Sequence, residues 1–441
     1  MPRQPILVEL GTVGLNRWGG YVFDEFLPAL RGTRGMKIYK EMSSNDPTVG
    51  AMLYAAKQLI RKASWRVTPA SASDADKEAA DFLRTCMNDM SHPWGDFITE
   101  TLSMITYGWS LHEIVYKVRR GYVRDPRYRS KYNDGRIGWR KLPRRAQDTL
   151  WEWIFEDDGS VSAMVQLAPP NYRRATIPLE KALLFRTEPN LDNPEGQSLL
   201  RNAYRPWYFK KRIEEIEGIG IERDLAGLPV LTPPEDIDLW NDADEEAMKL
   251  RTRAENLVTN IRRDQSEGVV LPSGWDLKLL NTGSRRQFDT NAIINRYDQR
   301  IAITILADLV MLGADKVGSF ALADVKKSMF AAGLEALLDS VTEIFNKYAI
   351  PRLFQLNLST FSDIADYPQI EHGEVESASL SELALFVNAL TGAQINLTDP
   401  DTQNYLRELA SMPRISEEFA NVPVANLSHS SEEPPTNSRG A

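Results

Sequence analysis

The sequence is short of the residue types that build most catalytic and disulfide-stabilised proteins. It holds one cysteine, Cys86, in 441 residues, which excludes an intramolecular disulfide framework and a thiolate zinc cluster. Cys86 falls in the helical pattern Ala79-Ala80-Asp81-Phe82-Leu83-Arg84-Thr85-Cys86-Met87 and reads as a buried, inert thiol. Histidine is almost as scarce: His92, His112, His372 and His429 are scattered, with no HxxxH or HExxH spacing to hold zinc. His112 beside Glu113 suggests an acid–base pair, but neighbouring strand residues point to opposite faces, which favours a structural or interfacial histidine. There is no GxxxxGK[ST] phosphate loop and no GxSxG elbow. Gly218-Ile219-Gly220 lies inside a helical pattern, not between a strand and a helix. Acidic pairs such as Glu214-Glu215 read as a solvated helix face. The residues therefore predict no metal, no cofactor and no enzyme activity.

Long apolar runs are also missing. Ile301 to Met311 is interrupted by Thr304 and Asp308 and is too short to span a bilayer. Met1-Pro2-Arg3-Gln4-Pro5 leads into no continuous apolar run, so no secretory signal is expected. These features predict a soluble protein, intracellular when made, with no membrane partner. A basic excess is the last absence: 52 Lys and Arg stand against 61 Asp and Glu, a net charge of −9. That argues against a bulk nucleic-acid binder, which needs cations to displace counterions. It does not exclude a protein that handles DNA without gripping it.

What is present is an ordinary globular composition, 42% hydrophobic and 26% charged. The length suggests roughly two to four domains, or one domain elaborated by long helices. Residues 1–35 read as an extended arm. Asp46-Pro47 predicts a capped helix start, with Val49, Met52, Leu53, Ala56, Leu59 and Ile60 at helical spacing and Trp65-Arg66-Val67 as a following strand. Two helices are predicted over 74–89 and from Trp94 to Ile105. From Leu111 to Ile177 the pattern turns to strands, with Asp157-Asp158-Gly159-Ser160 as the turn of a hairpin over 150–167.

A long helix is predicted from Gln197 to Asp224, with Pro206 marking a kink or a late start. An amphipathic helix follows, with Ala247, Leu250, Ala254, Leu257, Val258 and Ile261 on one face. Val269-Val270-Leu271 and Trp275 to Leu280 read as strands around Pro272-Ser273-Gly274. Helices over 288–311 and 320–348 come next, and helical pieces follow Pro351. The class is α+β and helix-rich.

Charge is segregated along the chain. Between Lys117 and Arg145 twelve Lys and Arg face only Asp125 and Asp134, a net of +10 over 29 residues. Tyr122, Tyr128, Tyr132 and Trp139 are interleaved, a combination suited to phosphate contact and stacking. The same block also reads as a solvated hairpin or as a surface for acidic parts of a neighbouring subunit, and these readings are preferred to DNA contact. Arg119, Arg120, Arg124, Arg127, Arg129, Lys131, Arg140 and Lys141 are the candidates for subunit or DNA contact. Between Leu231 and Met248 there are seven acids and no base. Over 363–441 thirteen acids oppose three bases, a net of −10. A long helix, a Pro-bounded acidic excursion and a returning helix make a protrusion with too little core to stand alone, or else an ordinary helical hairpin in a larger domain.

Several segments, in order, resemble the portal proteins of tailed bacteriophages, those of Mu-type and related phages above all. Asp46 to Leu53 with Trp65-Arg66-Val67 resembles the opening helix and strand of the family's wing. Ile105-Thr106-Tyr107-Gly108-Trp109-Ser110-Leu111-His112-Glu113-Ile114-Val115-Tyr116 resembles a family segment. So does Pro194-Glu195-Gly196-Gln197-Ser198-Leu199-Leu200-Arg201 with Tyr204, which leads into the stem helix. Gly220 to Val230 resembles the exit from that helix. Phe288-Asp289 with the helix through Ile301, and Gly318 to Ala323, resemble later helical parts.

The resemblance covers about residues 40–350. It implies a wing, stem, clip and crown architecture: an arm over 1–39, a wing over 40–196, and stem helices and clip over 197–284. Wing helices would fill 285–350, with a tunnel-type loop near 312–318. Crown-like helices would occupy 351–425, ahead of a disordered tail over 426–441. It further implies a homo-oligomeric ring, typically a dodecamer, at a capsid vertex through which double-stranded DNA is packaged and ejected. Terminase, a head–tail adaptor, and major capsid and scaffolding proteins would be partners. The location would be the virion, and the host cytoplasm during assembly. Glu235, Asp236, Asp238 and Trp240 would serve clip docking. Lys316 would touch DNA in the channel, its alternative being an ordinary loop lysine. Without the resemblance, the rival is a nucleic-acid-binding protein that uses 117–145.

Overall fold

The computed structural model describes residues 11–226, 228–241, 244–260, 270–280, 289–304, 320–375 and 407. The chain divides into two units, Met1–Gly373 and Glu374–Ala441, and the elements named here lie in the first. A small hairpin, β1 (Arg17–Trp18) and β2 (Tyr21–Val22), precedes α1 (Gly32–Asn45) and α2 (Pro47–Lys62). α2 starts where the sequence places it, because the Asp46 carboxylate accepts the Val49 N–H at 3.0 Å and Pro47 takes the first helical position. Val49, Met52, Leu53, Ala56 and Ile60 form its buried face. α1 departs from the expected arm over 1–39. It starts at Gly32 with no side-chain cap from Arg31, yet buries Met36, Tyr39 and Met42. Packing, and no local start signal, makes this helix.

β3 (Trp65–Thr68) and α3 (Asp74–Asn88) follow, the latter capped by Ser73, whose Oγ accepts the Asp76 N–H. The single helix expected from Trp94 is two, α4 (Trp94–Thr101) and α5 (Ser103–Tyr107), separated at Leu102. Eight strands then run to Arg186: β4 (Trp109–Glu113), β5 (Val115–Val118), β6 (Ile137–Lys141), β7 (Arg144–Arg145), β8 (Leu150–Phe155), β9 (Val161–Ala168), β10 (Arg173–Pro178) and β11 (Ala182–Arg186). They make an antiparallel β10-β9-β8 meander, a β11-β4-β7 sheet and the β5-β6 hairpin. A core of Met36, Trp109, Leu111, Trp153, Met164, Ile177 and Ala182 joins the first two sheets to α1.

α6 (Tyr204–Ala226) starts later than Gln197, two residues before Pro206. Its 23 residues span about 34 Å at 1.5 Å per residue. β12 (Leu228–Thr232), α7 (Glu245–Asn260), β13 (Asp276–Leu280), α8 (Thr290–Thr304) and α9 (Phe320–Ile344) come next. β12 pairs with β13, Leu228 opposite Leu280 and Thr232 opposite Asp276. Val270 and Leu271, expected as strand, are not, and Val270 is 96% exposed. α9 continues through a π-helical turn, Phe345–Ala349, into α10 (Ile350–Gln355). β14 (Gln369–His372) then pairs antiparallel with β3. The boundary expected at 351 therefore falls inside a continuous structural unit.

Candidate interaction surfaces

The two segments 105–116 and 194–201 meet in space. Ser198 Oγ donates to the Thr106 carbonyl at 2.6 Å, and the Leu199 N–H reaches the Ile105 carbonyl at 3.1 Å. Thr187 donates from its N–H and its hydroxyl to the Gly108 carbonyl, at 2.9 and 3.0 Å. This seam fixes where α6 leaves the sheet. Glu195 lines a cavity of about 260 Å³ beside it, with Arg31, Arg34, Gln147 and Trp153. Burial pushes the Glu195 carboxyl up to about 7, and the 3.3 Å bond from Trp153 Nε1 opposes this only in part.

The basic block 117–145 folds as the β5-β6 hairpin with a long loop. Asp89, which ends α3, organises it. Lys117 Nζ lies 2.9 Å from Asp89, with both side chains under 5% exposed. Ser130 Oγ and the Lys131 N–H also donate to that carboxylate, at 2.6 and 2.8 Å. Burial works against ionisation of Asp89, but these donors and the Lys117 charge hold its carboxyl below the ordinary range.

Arg119 corrects the sequence reading. It is buried, pairs with Asp134 at 2.8 Å, donates to Thr85 Oγ1 at 2.9 Å and lies 4.1 Å from the centre of the Tyr132 ring. Its charge is used inside the subunit. Arg127 pairs with neighbouring Asp125, Arg136 with Glu78 and Arg145 with Glu113. Five of the twelve cations, Lys117 and Arg119 among them, are thus committed within the chain. Arg120, Arg124, Arg129 and Lys131 stay exposed, and Arg140 and Lys141 are half-buried. Arg129 stacks over Tyr122 at 4.2 Å, and Arg140 over Tyr128 at 5.2 Å.

α6 carries a buried cation that sequence reasoning did not single out. Lys210, 3% exposed at its side chain, sits between Asp46 at 2.9 Å and Asp298 at 2.7 Å. The Thr48 hydroxyl also donates to Asp298, at 2.6 Å. Burial alone would lower the Lys210 pKa, but its bonds to Asp298 and Asp46 raise it above the ordinary value. One ammonium thus ties α6 to both α2 and α8. The opposite side of α6 leaves Tyr208, Phe209, Ile216 and Ile219 exposed, Ile216 to 67%. Phe209 and Ile216, seven residues apart, lie in line on one face.

Glu235, Asp236, Asp238 and Trp240 are all exposed, Trp240 to 77%. The Trp240 N–H is accepted by Asp238 at 2.9 Å, and the Arg251 guanidinium of α7 lies 5.5 Å from the indole. Glu245 and Glu246 open α7, where the helix dipole favours carboxylates. Lys316 and the loop 312–318 lie outside the described residues, as do 376–406 and 408–441.

His112 is fully buried. Its Nδ1–H donates to the Leu142 carbonyl at 2.8 Å, and Nε2 lies 3.1 Å from the Ser110 hydroxyl. Burial holds its pKa down at about 3. Glu113, on the other face, pairs with Arg145 and Lys181. Cys86 is buried and its thiol is pushed up to about 12 by burial, with the nearby Arg119 charge opposing. Among the described residues no group of three His, Cys, Asp or Glu could hold a metal ion, and no helix is long and apolar enough to cross a membrane.

The model of the portal protein of Mu bacteriophage matches residues 36–410, so the chain belongs to that portal protein family. The family is a structural one, and the architecture mixes helix and strand. Among solved structures, one similar chain comes from the virion of a native gene transfer agent particle. It is 12% identical, with a TM-score of 0.48, over 86% of this chain and 94% of that one. Another comes from the neck of a native gene transfer agent particle computed with C12 symmetry, at 10% identity and TM-score 0.43, over 86% and 94%. A third is an HK97-family phage portal protein from Corynebacterium diphtheriae, at 12% identity and TM-score 0.39, over 75% and 95%.

Proposed function

We propose that this portal-family chain closes with copies of itself into a dodecameric ring at one vertex of a phage head, through which double-stranded DNA is packaged and ejected. The observation that carries the reading is the two-sided character of α6. One side is pinned to the body by Lys210, while Ile216 and Ile219 face outward, and Tyr208 and Phe209 beside them stay partly exposed, Phe209 stacked on Tyr297 of α8. Heterologous contacts between copies cover such a face and close a ring if the rotation closes. Replacing Ile216 and Ile219 with Glu should leave free subunits in sedimentation at an unchanged melting temperature. Rings that persist would remove α6 from the interface.

The net charge of −9 suits a duct, because each strong phosphate contact would have to break as the polymer moved. Lys316 is the proposed channel contact. Unchanged DNA retention by K316A in otherwise complete particles would count against it. Glu235, Asp236, Asp238 and Trp240 form the proposed docking surface for terminase and the head–tail adaptor. E235Q, D236N and D238N combined, or W240A, should weaken that docking and leave rings intact. Major capsid and scaffolding proteins would surround the ring in the virion, after assembly in the host cytoplasm.

The rival, a nucleic-acid binder using 117–145, is disfavoured by the internal pairing of five of its cations. Of the remaining members, the exposed Arg129 and Lys131 and the half-buried Arg140 and Lys141 serve subunit contact in the leading reading. Reversing Arg129 and Lys131 to Glu separates the two. Loss of assembly supports the ring contact, whereas loss of DNA affinity with a flatter salt dependence and intact assembly supports the rival.

A further inference from the structure

An open groove of about 600 Å³ lies where the outer face of the β5-β6 hairpin meets the end of α10. Its floor is aliphatic, formed by Val118, Val123, Ile137 and Leu356, with Tyr128 at one side. Val118 is 39% and Leu356 47% exposed, so apolar area here stays in water although the hairpin is otherwise tightly tied down. The rim is cationic. Arg120 lines the groove and Arg124 stands four residues along the loop; both are exposed, and neither has a carboxylate partner among the described residues. Asp125, the acid in the lining, is already neutralised by Arg127 at 2.7 Å. The Arg140 guanidinium covers one side of the Tyr128 ring.

We propose that this groove docks an acidic peptide segment of a partner protein, one that carries carboxylates on either side of an apolar anchor. The apolar floor takes the anchor, and Arg120 and Arg124 take the carboxylates. Charge complementarity sets the sign of the partner, since the hairpin carries the chain's densest positive block. The floor sets its class. A nucleic-acid backbone offers phosphate and a polar sugar but no apolar side chain to fill the floor, and base stacking needs a row of aromatic faces, whereas this groove offers Tyr128 and aliphatic side chains. The inference is independent of the ring reading, because it needs only the folded hairpin and α10.

The test uses the full-length chain and a fluorescent peptide with the sequence of residues 233–241, Pro-Pro-Glu-Asp-Ile-Asp-Leu-Trp-Asn, as an acidic–apolar probe. Anisotropy should show saturable binding. R120E and L356D should each weaken it about tenfold or more, with melting temperatures unchanged. A probe with Ile, Leu and Trp changed to Ser should bind about tenfold more weakly. An equally tight Ser-substituted probe would mean charge attraction alone and would overturn the proposal. Failure of the parent probe to bind at about 1 mM would overturn it as well. Binding of a thymidine oligonucleotide that is lost in L356D, without peptide binding, would assign the groove to nucleic acid instead. The V123D variant provides a second groove substitution should L356D fail to fold.

Discussion

Gly108 and Gly196 press their backbones together where α6 leaves the sheet. A Cβ on Gly108 would lie 2.5 Å from the Glu195 carbonyl oxygen, and one on Gly196 would run into the Gly108 carbonyl. Both residues also hold positive φ, +91° and +53°, which side chains resist. Ala at either position should destabilise the chain by about 2–4 kcal/mol, read as a lower denaturant midpoint with an unchanged m-value. A wild-type midpoint in both variants would show that the seam relaxes freely.

The Lys210 junction should be equally sensitive. Changing Lys210 to Met leaves Asp46 and Asp298 facing each other without a cation, at a cost of about 3–5 kcal/mol. Adding D46N and D298N to K210M should recover much of that loss, because the uncompensated charges are then gone. Thermal melts of the single and triple variants measure both effects. Equal melting temperatures for the two would contradict a charge-based joint.

Glu195 gives a pH dependence with a definite sign. Its folded carboxyl titrates at about 7 against an ordinary 4.5, so the unfolded chain releases this proton first. Its contribution to stability is therefore full below pH 4.5, falls as pH rises to 7 and is flat above. The wild type should lose up to about 3 kcal/mol across that window relative to E195Q, in urea titrations at stepped pH. Parallel profiles for the two proteins would refute the assignment.

His112 acts in the opposite direction. Held at about 3 against an ordinary 6.5, it contributes stability that is present above pH 6.5 and lost as pH falls toward 3. H112Q should flatten the acid side of the profile. Persistence of the full acid-side slope in H112Q would assign it to other groups.

Local signals carried part of the fold. Asp46-Pro47 announced α2, Asp157 to Ser160 announced the turn between β8 and β9, and of the two readings of Pro206, a kink or a late start, the start at Tyr204 matches the second. The family segments and the acidic excursion were readable as well. What was hidden depends on distant partners. α1 has no cap and exists because Met36 and Met42 are buried. β12 and β14 pair with strands far along the chain, which neither alternation nor turn residues encode. Charge counting placed Arg119 at an interface because composition records a cation and not the Asp134 beside it. For the same reason Lys210 and Asp298 drew no notice at the α6 junction, and Asp46 was read only as the cap of α2: each is an ordinary surface residue type in sequence.

The central claim is that copies of this chain close into a hollow ring. Negative-stain electron microscopy of the purified full-length protein tests it most directly. The account predicts annular particles with a central hole. Monomers alone at high concentration, or compact particles with no opening, would contradict it.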